Sequence, residues 1–239
     1  MCVSMPSSPH DEIVFNINWR RVRFGMLWIA LLVLTLHVYV GVTDQSDLIG
    51  ESLWRRLANL DSETSFPTWL SSALLAAAGV LCWVESRMTN PEHRRRWTLL
   101  GFGFLILSID EVAAIHETAA GPLRRALDLE GALYYGWVLP AILIVATAVA
   151  YFYPLLRSLP GGVRIRIVTA GAVFVAGAIG MEMVSGVLTE QGEREAWSFF
   201  AVATLEEAME IGAIFLFVDT LASWLASRGV PLRVTIRQA

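Results

Sequence analysis

The chain has 239 residues, 55% of them hydrophobic and only 17% charged, with a formal charge of −4. Soluble domains carry roughly 25% charged residues. This composition, with a mean hydropathy of +0.55, therefore excludes an ordinary water-soluble domain and points to an all-α, polytopic membrane bundle.

Taken in chain order, apolar runs near the length of a bilayer crossing predict about six spans: 24–43, 67–87, 97–119, 133–156, 164–188 and 199–226. Residues 1–23 read as a cytoplasmic N-terminal segment, 24–226 as one membrane domain and 227–239 as a cytoplasmic tail, with no second domain in 1–239. Met1 to Trp19 is too polar for a cleaved signal peptide, so the first apolar run is expected to stay as a helix. Within the first outer loop, Leu48, Ile49, Leu53, Trp54, Leu57 and Leu60 recur at roughly helical spacing, which suggests a short amphipathic helix in the outer interface or a packed extracellular cap. Pro67, Pro122 and Pro140 suit span starts or loops, and Pro154 a span end.

Arginine placement sets the orientation. All 18 basic residues are arginine, and 13 of them fall on one side: Arg20, Arg21, Arg23, Arg87, Arg94 to Arg96, Arg157, Arg164, Arg166, Arg228, Arg233 and Arg237. Only Arg55, Arg56, Arg124, Arg125 and Arg194 fall on the other, whose loops are rich in Asp and Glu. Both termini are expected to face the cytoplasm, as an even number of spans requires. The expected setting is a bacterial inner (plasma) membrane. Topology accounts for the arginines, so nucleic-acid binding is not expected. Cys2 and Cys82 lie far apart and suggest neither a disulfide framework nor a thiolate metal site.

Seven acids interrupt the apolar segments: Asp110, Glu111, Glu117, Glu182, Glu206, Glu207 and Glu210. A carboxylate at the bilayer centre costs roughly 3 kcal/mol, so seven unpaired ones would oppose insertion by about 20 kcal/mol. They are expected to be protonated, paired, interfacial or bound to a cation. On a continuous third span, Asp110 and Glu117 would lie about 20° apart and His116 about 120° from Asp110. On the sixth, Glu206, Glu207 and Glu210 share an arc of about 100°. Glu182 follows Ala172, Ala176 and Gly180, with Gly171, Gly177 and Ala178 nearby, a spacing of small residues that lets helices approach closely. His37 on the first span reads as a satisfied core residue or a further ligand. Asp219, nearer the cytoplasmic end, is expected to pair with an arginine there or to snorkel to that face.

With alternating spans, His37, Asp110 to Glu117, Glu182 and Glu206 to Glu210 all fall in the outer halves of their helices. Carboxylates with imidazoles and no thiolates suit iron, manganese or zinc. The expected ligands are Asp110, His116, Glu182, Glu207 and Glu210, with His37, Glu111, Glu117 and Glu206 as supporting or alternate groups. Such a site, binding one metal ion or a pair, would serve a metal-dependent membrane oxidoreductase or hydrolase acting on a lipid-soluble substrate. The alternatives are a proton- or cation-coupled transporter and a non-catalytic assembly or sensor subunit whose polar network fixes helix register.

Overall fold

The computed structural model describes residues 12–16, 18–43, 57, 65–194, 196–229 and 233–237, and of 12–16, 40–43 and 233–237 the backbone alone. In chain order the elements are β1 (Glu12–Asn16), α1 (Trp19–Thr43), α2 (Phe66–Met88), α3 (Pro91–Ala113), α4 (Ile115–Leu127), a 3₁₀ turn (Gly131–Leu133), α5 (Val138–Ser158), α6 (Gly161–Val175), a π-helical turn (Ala176–Met181), α7 (Glu182–Glu190), α8 (Trp197–Ser227) and β2 (Arg233–Arg237). The described residues thus form a helical bundle with one short antiparallel strand pair, in which Glu12 faces Arg237 and Asn16 faces Arg233. The expected interfacial helix of the first outer loop lies outside the described residues, apart from Leu57.

Local sequence explains the boundaries. Ser65 caps α2 by accepting the Thr68 N–H, with Pro67 in the first turn; an N-cap hydroxyl satisfies an otherwise orphan donor there. Asn90–Pro91 closes a tight turn into α3. This α2–α3 hairpin is pressed together at two glycines. A Cβ on Gly101 would lie 2.6 Å from the Trp83 ring and 2.9 Å from Gly79 O. Helix α8 is the axis of the core: Ile211, Ile214, Phe217, Val218, Leu221 and Leu225 pack against Leu74, Leu75, Ala78 and Cys82 of α2 and Ile167 of α6.

Charged contacts tie the helix ends together at the arginine-rich end. Asp219, almost fully buried, accepts from the Trp19 indole at 3.0 Å and from Arg166 Nη2 at 2.7 Å, with Arg23 at 3.6 Å. Here Asp219 has the arginine partners expected of it. Glu85, wholly buried, is gripped by Arg228 Nη1 at 2.8 Å through both oxygens, while Arg228 Nη2 donates to Met88 O at 3.0 Å. These contacts bring the start of α1, the end of α2, the start of α6 and the end of α8 together, and β1 pairs with β2 beside them. Both described chain ends therefore lie at the same end of the bundle.

Three expectations need correction. Among the described residues, four helices are long and apolar enough to cross a membrane: α1, α2, α5 and the continuous α6–α7 unit; the bent α3–α4 pair makes up to five. The sixth expected span, α8, is 31 residues long and packs through the core, but it stands outside that set and carries Glu206, Glu207, Glu210 and Asp219. The third expected span is not continuous, because α4 turns away from α3 by 79° at Ala114. Pro122 then lies inside α4 rather than in a loop. Four to five apolar helices are compatible with a multi-pass membrane protein.

Candidate functional site

The break at Ala114 builds the first part of the site. Ala114 sits in the left-handed region at φ 49°, ψ 41°, a conformation that costs an L-residue roughly 1–2 kcal/mol. Asp110 offsets that cost. Its Oδ1 accepts the His116 backbone N–H at 3.0 Å, as a cap on α4, and its Oδ2 lies 2.7 Å from His116 Nδ1. With the proton on Nδ1 donated to Asp110, Nε2 is the accepting nitrogen of the ring. The bend invalidates the continuous helical wheel drawn from sequence. Asp110 and Glu117 do not share a face; Glu117 is exposed, while Asp110 and His116 are half-buried.

Trp137, just ahead of α5, connects this pair to α7. Its ring stands edge-on to His116 at 4.8 Å, and its indole N–H donates to Glu182 Oε1 at 3.0 Å. Glu182 in turn lies within electrostatic range of Glu206 of α8. The π-helical turn makes this meeting possible, because an extra residue in the turn rephases the face that follows it. Gly177 is the close-approach point: a Cβ there would lie 3.2 Å from both Glu206 O and Glu210 Cγ. This corrects the small-residue stripe expected at Ala172, Ala176 and Gly180. Ala172 and Ala176 are exposed, and a Cβ at Gly180 would meet nothing within 4 Å.

Glu210, one turn along α8, lies within electrostatic range of Glu182 and of Glu111 on α3. Glu111 faces Ser71 of α2, whose buried hydroxyl has no partner of ordinary hydrogen-bond geometry. Beside it, Ser72 and Ser108 clamp α2 to α3: Ser72 Oγ donates to Ser108 O at 2.8 Å and Ser108 Oγ to Ser72 O at 2.9 Å. Glu207 is half-buried on α8 and acts electrostatically on Glu206. His37 is buried on α1, 3.0 Å from Thr204 Oγ1 and stacked on Phe200 at 4.8 Å.

Six of the expected residues, Asp110, Glu111, His116, Glu182, Glu206 and Glu210, thus gather between α3, α7 and α8, away from the arginine-rich end. Glu117 borders the group from an exposed position, and His37 lies apart in its own contact. Among the described residues, no three of His, Cys, Asp or Glu are arranged to hold a metal ion. Asp110 is engaged by His116 and Glu182 by Trp137, so these carboxylates do not converge on an empty point. Sequence reasoning missed Trp137 and Thr204. Trp137 had one available signal, an indole at a span start beside acidic helices, since a buried Trp N–H needs an acceptor.

Fold and site together define a bundle of apolar helices with a carboxylate–imidazole cluster at one end. The chain belongs to the family described as a domain of unknown function, DUF8692, whose model matches residues 26–225. The match covers every residue of the cluster. Comparison with curated proteins and with solved structures gives no match.

Proposed function

We propose that the chain is a multi-pass membrane protein whose acid–imidazole cluster binds and exchanges a cation, the proton foremost, as part of proton- or cation-coupled transport. The observation that carries this reading is the approach of Glu182, held by the Trp137 indole at 3.0 Å, to Glu206 and Glu210 of the facing helix, where Gly177 lets the backbones meet. Two ionised carboxylates offer only acceptors. Like charges so close repel, and a proton shared between them would relieve that repulsion. Glu210 and Glu111 continue the acidic series toward α2, and His116 supplies a group that can both accept and release a proton. Carboxylates within membrane bundles commonly form such relays and cation sites. Asp219 takes no part, because Arg166 and Arg23 neutralise it at the other end.

The test is flux across liposomes containing the purified protein. A proton or cation flux that Glu210→Gln removes is expected. Absence of flux with the unaltered chain, over a range of imposed pH and cation gradients, would overturn the reading.

A second reading assigns the same cluster to a metal, with Asp110, His116, Glu182, Glu207 and Glu210 as ligands for iron, manganese or zinc. The Asp110–His116 contact favours it, since metal-bound imidazoles almost always give their other N–H to a carboxylate or carbonyl. An apolar cleft of about 260 Å³ between α1 and α2, lined by Leu36, Phe66, Trp69 and Leu70, suits a lipid-soluble substrate of an oxidoreductase or hydrolase. The donors as placed do not converge, so this reading requires Glu182 and Glu210 to re-aim. Metal analysis of the purified protein separates the two: stoichiometric metal lost in Glu182→Ala favours the second. Neither metal nor flux would leave the cluster as a network that fixes helix register.

A further inference from the structure

A second feature lies at the opposite end of the bundle, on its outer surface. Helix α5 is only lightly covered by its neighbours, and Leu143 and Ile144 are about two-thirds exposed. Between α5 and α3 runs an open apolar groove of about 460 Å³, lined by Leu99, Leu143, Ile144, Thr147, Ala148 and Tyr151. Its length along α5, from Leu143 to Tyr151, is about 12 Å at 1.5 Å per residue. That approaches one leaflet, since half of a hydrocarbon core is about 15 Å.

The groove has one charged end. Arg96 donates from Nε to Tyr151 O at 3.3 Å and stands 5.7 Å from the centre of the Tyr151 ring. Its Nη1 donates to Glu92 O at 3.3 Å, which fixes the guanidinium at the head of the groove. Arg95 is exposed and lies one turn above Leu99 on the same face of α3. The nearest carboxylate on that turn, Glu92, is 3.1 Å from His93 Nε2. An open apolar groove approaching one leaflet in length, ending in two arginines at the arginine-rich side, suits an acyl chain joined to an anionic headgroup.

We propose that this groove binds an anionic phospholipid from the leaflet on the arginine-rich side. One acyl chain lies along α5, and the phosphate sits on Arg95 and Arg96. Basic pockets between membrane helices recognise anionic headgroups in this way. The site is independent of the acid cluster and rests only on insertion of the bundle into a bilayer.

Native mass spectrometry of the full chain, titrated with phosphatidylglycerol or with phosphatidylcholine of the same chains, tests the assignment. Each surface arginine contributes about fivefold to binding of an anionic lipid. Arg95→Gln should weaken phosphatidylglycerol about fivefold and phosphatidylcholine, whose choline offsets its phosphate, by clearly less, and adding Arg96→Gln should bring the phosphatidylglycerol loss to about 30-fold. Arg125→Gln at the other end should change neither. Ala148→Phe, which fills the groove, should weaken both lipids. Because Arg96 also bridges α3 to α5, the Arg95 and Ala148 variants decide the matter if the double variant fails to fold. Equal loss in Arg125→Gln, or unaltered phosphatidylglycerol binding in both Arg95→Gln and Ala148→Phe, would overturn the proposal.

Discussion

Removing the guanidinium that grips Glu85 gives the sharpest stability prediction. Glu85 is 0% exposed, and two of the polar contacts on its carboxylate come from Arg228 Nη1, both at 2.8 Å. Arg228→Met keeps most of the side-chain bulk and its packing on Trp224 but leaves a buried carboxylate without its counter-charge. Breaking one partner of a buried pair costs about 3–5 kcal/mol. For a chain of this size each kcal/mol moves Tm by roughly 2–4 °C. The expected fall is therefore about 6–20 °C, read from tryptophan fluorescence during thermal unfolding in detergent. The double variant Glu85→Met/Arg228→Met removes both charges and should recover most of that loss, because apolar replacement of a buried pair is often neutral or better. A fall under about 3 °C in the single variant, or a double variant as unstable as the single, would refute the view of Glu85 as a charge dependent on Arg228.

The other predictions concern the cluster's scaffold. Ala114→Gly should raise Tm by about 2–4 °C, since glycine takes the left-handed conformation without the steric cost of alanine; a lower Tm would contradict the bend. Gly177→Val should lose about 1–3 kcal/mol by forcing α8 away from the π-helical turn, while Gly171→Ala, where a Cβ meets nothing within 4 Å, should be close to neutral in the same melts. Ser72→Ala and Ser108→Ala should each cost about 1 kcal/mol of hydrogen bonding. Because the two hydroxyls also meet each other at 3.0 Å, the double variant should cost less than their sum, and strict additivity would refute that coupling.

The features legible in the sequence were those carried by composition and long periodicity. Apolar runs located α2, α5 and α6, arginine placement anticipated which helix ends meet, and Asp219 could be assigned arginine partners from depth alone. The bend at Ala114 was not legible, because neither glycine nor proline lies within the Val112–Ile115 run to mark it, and its stabilising contact is the Asp110 side chain. The π-helical turn was hidden for a related reason. One extra residue in a turn changes the phase of everything after it, so small residues counted in fours from Ala172 pointed to the wrong face, and Gly177, noted only as a neighbour of that stripe, makes the close approach. Trp137 stood near the start of the expected 133–156 span, where periodicity does not say which partner its indole N–H will find. The strands at Glu12–Asn16 and Arg233–Arg237 carry β-branched residues such as Val14, Val234, Thr235 and Ile236. They are too short to stand out beside helices of more than 20 residues.

The most direct measurement of the cluster's chemistry is infrared spectroscopy of the carboxyl stretch at neutral pH, with the unaltered chain compared to Glu182→Gln and Glu206→Gln. A shared proton between the two glutamates predicts a protonated-carboxyl band shifted by hydrogen bonding, which moves or disappears in each single variant. No such band in the unaltered chain, or a band indifferent to both substitutions, would contradict a proton held between Glu182 and Glu206.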